Sequence, residues 1–174
     1  MWTLKSWWGV QGVRAETKQA MAQALANLDW SEELFAPTTG VPFGAADDAS
    51  RLVISLVTQT SALGAGRREY SLASKVLHWL LPWRVPVYDD FVRRSLGVPE
   101  GDQPEPYKQV AGSIFRLLRD VQTDGTAWQG TVPPASPLRA IDKYLWWIGG
   151  GDAARAAVVS DPWQPIDRLG LARN

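Results

Sequence analysis

Within Tyr70–Gly97, YSLASKVLHWLLPWRVPVYDDFVRRSLG, a single lysine, Lys75, stands in an otherwise apolar helical stretch. A proline-bounded turn follows, and then two aspartates, Asp89 and Asp90, at the start of a second helix. An ammonium on an apolar helix loses hydration, which favours the neutral, nucleophilic amine. An aspartate at a helix start accepts the backbone N–H groups that the helix leaves free and is held there as an anion. Such an anion can steady a developing positive charge. Each residue also has a plainer role. Lys75 borders the stripe Leu72, Val76, Trp79 and Leu80, and a lysine there can run its stem along the apolar surface to reach water. Asp89 can be an N-cap and nothing else. His78, three residues after Lys75, reads first as a hydrogen-bonded core histidine and second as a lone general base.

The order lysine, short loop, Val85-Pro86-Val87, then aspartate resembles the catalytic region of the helix-hairpin-helix DNA glycosylases, nearest to their 8-oxoguanine branch. The resemblance is confined to this central segment. It implies that Lys75 attacks the sugar C1′ of a flipped nucleotide and forms a Schiff base, and that Asp89 supports the oxocarbenium-like charge and the proton transfers. It implies a DNA glycosylase-like activity with DNA as partner and no cofactor. The glycine-rich hairpin that precedes the lysine in that family is replaced here by YSLAS, and the loop is shorter. The competing expectation is a non-catalytic helical module that binds nucleic acid or protein and keeps the fold without the chemistry. A tryptophan-rich core protein with a small-molecule pocket is the third.

Arg67, Arg68, Arg84, Arg93 and Arg94 fall within 28 residues and are expected to form a basic face around Lys75, with Trp83 in the loop as a stacking surface. A second constellation, Arg139, Asp142 and Lys143, occupies a later helix and reads as a solvated charged face opposite Ile141, Leu145 and Ile148. A bridge from Arg139 or Asp142 to the lysine helix is the alternative.

Composition narrows the classes. The 174 residues carry 18 basic and 18 acidic side chains, a balance unlike that of a protein that coats nucleic acid. With no cysteine and one histidine, disulfides, thiolate nucleophiles and multi-histidine metal sites are excluded, so no metal is expected. No apolar run suits a membrane span, the N-terminus lacks a signal-like core, and a cytoplasmic location is the expectation. Walker, GxGxxG and HExxH patterns are missing. Ten tryptophans are read mainly as core filling.

The elements that must position Lys75 and Asp89 are helices. The spacing predicts one over Ala15–Leu28 and a second that Asp47 or Asp48 caps and that runs to about Ser61, with Gly64 as a left-handed stop. The lysine helix is expected from Ser71 to the turn before Pro82, the next from Asp89 to Leu96, and another over Tyr107–Val121. A helix from Pro137 should halt at Gly149–Gly151, with a short one near Ala153–Val159 beyond. VISLV and VPVY are the weak strand candidates and fit helix and loop better. The expectation is one all-α compact domain of five to eight helices over residues 1–174. Its core should include Val76, Leu80, Ile114, Leu117, Leu118, Ile141 and Leu145.

Overall fold

The computed structural model describes residues 13–35, 44–65, 69–101, 103–124 and 137–159. Trp2, Trp7, Trp8, Trp128, Trp163, Arg67 and Arg68 lie outside these residues. The chain is all-α, with no strand among the described residues. In order come α1 (Ala15–Ala26), a short α2 (Glu32–Phe35), α3 (Ala45–Thr60), a π-helical turn (Ser61–Ala65), α4 (Tyr70–Leu80), α5 (Asp90–Ser95), α6 (Pro104–Asp124) and α7 (Pro137–Val159). VISLV lies inside α3, and VPVY is extended loop. Gly64 closes the π-turn at φ 92°, a left-handed conformation that a side chain would strain. The expected aspartate cap of α3 is corrected: Gly44, at φ 79°, takes the N-cap position, and Asp47 and Asp48 fall in the first turn, where negative charge suits the helix dipole.

A single apolar cluster joins α1, α3, α4, α6 and α7, with Leu56, Leu77, Tyr107, Ile114 and Leu138 fully enclosed. Ile114, Leu118, Ile141 and Leu145 belong to it as expected, whereas Val76 and Leu80 only flank it. Leu117 is 38% exposed and Trp79 58% exposed, so the helical phase is corrected in both α6 and α4. In α6 the inward face is Tyr107, Val110, Ala111, Ile114, Phe115 and Leu118, a complete i, i+3, i+4 series that leaves Leu117 at its edge. In α4 the inward face carries Ala73, Ser74, Lys75, Leu77 and His78. Polar groups displace the tryptophan there because a buried loop, described below, bonds to them.

The expected helix stop at Gly149–Gly151 is also corrected, since α7 runs through these glycines to Val159. Gly149 serves contact instead. A methyl group built on it would overlap the Phe91 carbonyl oxygen on α5. The two helices meet backbone to backbone, Trp146 closes edge-on against the Phe91 ring at 5.5 Å, and α5 packs more extensively on α7 than on α6. Gly149→Ala should therefore destabilise the protein by ~1–3 kcal/mol through overpacking. Gly112→Ala on α6, where the space is open, should stabilise it by ~0.5–1 kcal/mol by removing a mid-helix glycine. Urea unfolding of both variants checks this contrast. Equal effects would show that α5 and α7 do not touch at Gly149.

Candidate functional site around Lys75

The loop between α4 and α5 is interior structure. Leu81, Val85, Pro86, Val87 and Tyr88 are all buried. A buried backbone must bond somewhere, and here it bonds to α4 and α6. Ser74 Oγ accepts the Tyr88 N–H at 2.9 Å and donates to the Ser71 carbonyl at 3.0 Å. Tyr107 Oη donates to the Pro86 carbonyl at 3.3 Å, with its phenol held protonated by burial. The His78 Nδ1 lies 2.6 Å from the Val85 carbonyl oxygen, which makes Nδ1–H the donor. These ties fix the backbone that delivers Asp89. That residue is the N-cap of α5, and its Oδ1 accepts the Val92 N–H at 2.9 Å.

Lys75 is only 8% exposed, so its stem does not merely carry the amine out along a helix surface. Its positive charge stabilises the carboxylates of both Asp89 and Asp142. Asp142, on α7, is 3% exposed. The solvated face expected for Arg139, Asp142 and Lys143 is therefore corrected. Arg139 Nη1 donates to Asp142 Oδ2, while Oδ1 is enclosed and accepts no hydrogen bond from any described residue. Burial raises the Asp142 carboxyl above the usual range, against the pull of Arg139, Lys75 and Lys143. Burial likewise raises Asp89, and the neighbouring Asp142 charge adds to it. Both outweigh the lowering by the Val92 N–H, Lys75 and the Phe91 N–H. The expectation that capping depresses Asp89 is corrected, because desolvation and a like charge outweigh one turn of helix dipole.

The other expected residues divide. His78 is 1% exposed and structural in its bonding, with burial first and the Arg139 charge second depressing it to about 3. It is neutral at ordinary pH. Trp83 and Arg84 line a cavity of about 440 Å³ with Leu28, Asp48, Leu52 and Phe115, to which Lys75, Asp89 and Asp142 contribute no wall. Arg93 turns inward: Nη1 donates to the Val98 carbonyl at 2.9 Å, and Nη2 lies 3.5 Å from Asp90 and 3.8 Å from Glu100. Arg94 is exposed over the Phe91 ring at 4.8 Å. The residue that sequence reasoning undervalued is Asp142. Its spacing from Arg139 and Lys143 is that of a solvated face, so the sequence carries no signal that it points inward.

Comparison with protein-family models, with curated proteins and with solved structures gives no match.

The titrations have opposite signs in stability. His78 is depressed to about 3 from its ordinary 6.5, so below 6.5 the unfolded chain takes a proton that the fold refuses. Its contribution is present above that value and is lost as pH falls, by up to ~1.4 kcal/mol per pH unit. Asp89 and Asp142 are raised, so the fold keeps protons that the unfolded chain releases, and their contribution shrinks as pH rises through that window. The stability difference between wild type and His78→Gln isolates the histidine. The wild-type advantage should shrink between about pH 7 and about pH 4 in urea titrations. A difference independent of pH would place a charged histidine in the fold.

Proposed function

We propose that this chain is a DNA glycosylase-like protein that acts on a flipped, damaged base through the amine of Lys75. The observations that support the reading are that Lys75 is buried on α4 and that the tied α4–α5 loop ends in Asp89, the N-cap of α5. In this reading the Nζ lone pair forms a bond to C1′ of the nucleotide. The C1′–N glycosidic bond breaks, and its electron pair leaves with the base, which takes up a proton. A proton then passes from Nζ to O4′ as the C1′–O4′ bond opens, and the Nζ lone pair forms the C=N bond of an iminium between Lys75 and the sugar. In this reading Asp89, held by its cap to Val92, is the anion that offsets the charge developing at C1′.

A non-catalytic nucleic-acid- or protein-binding module that keeps the fold is the second reading. It is favoured by Arg93, which bonds within the protein, and by the formal net charge of zero. Both weaken the electrostatic footprint on which DNA binding depends.

Reduction of the iminium by borohydride separates the two. Oligonucleotides that carry oxidised, deaminated or abasic sites should give a stable protein–DNA adduct, lost in Lys75→Ala. Asp89→Asn should slow its formation while leaving α5 intact, because asparagine caps about as well as aspartate. No adduct across that panel from a folded protein favours the binding module. An adduct that persists in Lys75→Ala assigns the chemistry to a different amine.

A further inference from the structure

We propose that the cavity walled by Trp83 and Arg84 is a binding site for a planar aromatic monocarboxylic acid, separate from Lys75 and independent of the glycosylase reading. Its volume of about 440 Å³ lies within the span of small-molecule sites, about 300–1,000 Å³. Helix α3, the α1–α2 connection and the turn after α4 all contribute walls. On α3, Val53, Leu56 and Val57 fill the core, and a second stripe, Ala45, Ala49, Leu52 and Ser55, runs along the cavity at helical spacing. The two alanines leave room that larger side chains would occupy. Leu28 and Phe115, both buried, make the opposite walls apolar.

The polar groups decide the charge of the ligand. Asp48 and Arg51 bond to each other at the solvent edge of α3, with the Arg51 side chain 79% exposed. Asp29 is exposed at the mouth, where water and salt screen it. Arg84 is half-buried and its Nε is enclosed. A guanidinium presents five N–H donors in one plane and takes a carboxylate in a two-pronged bond. Ser55 adds a hydroxyl, whose Oγ accepts the Gln59 amide at 3.0 Å and keeps its own hydrogen to donate. Two arginines and two aspartates leave the described walls without net charge, so a monoanion suits them better than a dianion. The half-buried Trp83 indole offers a flat face to a ring. Both residues stand on a fixed turn: the Leu81 carbonyl accepts the Arg84 and Val85 N–H groups at 3.0 and 3.1 Å, and His78 holds the Val85 carbonyl. Side chains presented from a fixed turn lose little freedom on binding.

The probe is 2-naphthoate, titrated into the full chain and followed by NMR, with naphthalene-2-methanol as its uncharged counterpart. Naphthoate should bind saturably at one site and show ring-to-side-chain NOEs to Leu52 and Phe115. It should bind about tenfold tighter than the alcohol, as a charge-assisted bond provides. Arg84→Gln should remove that preference and leave the affinity for the alcohol unchanged. Trp83→Leu should weaken both probes about fivefold through loss of the ring contact. No saturable binding of naphthoate up to about 1 mM overturns the proposal. Equal affinity for acid and alcohol overturns it too, as does a naphthoate affinity that Arg84→Gln or Trp83→Leu leaves unchanged. Should either variant fail to fold, the wild-type chain decides: NOEs that place the ring away from Leu52 and Phe115 sink the assignment. The probes carry neither sugar nor aldehyde, so their binding is read whether or not Lys75 traps DNA.

Discussion

Charges taken out of water must be neutralised where they are buried, and the centre of this molecule is organised around that requirement. Lys75 and Asp142 are both almost fully enclosed, and Arg139 and Asp89 complete the group from α7 and the start of α5. Each charge alone would cost several kcal/mol in such a place. Arg139 bonds Asp142 within α7, the cap bond to Val92 holds Asp89 at the start of α5, and α5 packs closely on α7. Gly149 against the Phe91 backbone provides that approach at one end of α7. The buried α4–α5 loop, tied to α4 by Ser74 and His78 and to α6 by Tyr107, fixes the path from Lys75 to Asp89. The apolar cluster supplies the bulk of the stability, and the charged group constrains how the helices are set.

What the sequence made legible follows from how local each signal is. The helical class, the two ends of α4, the cap at Asp89 and the left-handed Gly64 all depend on residues within a few positions of one another. Asp142 was not legible because an Arg139, Asp142, Lys143 series has the spacing of a solvated face. Only the packing of α7 against its neighbours decides that Asp142 points inward. Gly149 misled for a related reason: three glycines in a row signal a stop locally, whereas a close helix crossing requires the absence of a side chain. Trp79 and Leu117 lie off the buried faces of α4 and α6 although their types and spacing suit those faces. In α4 the phase was set by Ser74 and His78, whose bonds to the following loop outweigh the burial of one indole ring.

This arrangement bears on the chemistry. A lysine nucleophile needs a place for its proton and shelter from water, and a developing sugar cation needs a fixed anion. Two carboxylates have different commitments here, Asp89 to the α5 backbone and Asp142 to the Arg139 guanidinium. Buried carboxyls with raised proton affinity are the kind of titratable group that concentrates at functional sites. His78, by contrast, is depressed by burial and spent on the loop, and is better suited to holding Asp89 in place than to moving protons.

The central claim is that Lys75 and Asp142 are energetically one unit inside the fold. A double-mutant cycle tests it most directly, with Lys75→Met, Asp142→Leu and the double variant unfolded in urea. If the charges pair in the interior, each single change strands a buried partner, and the double change costs less than the sum by ~0.5–3 kcal/mol. Additive losses would contradict the account and separate the lysine from the aspartate.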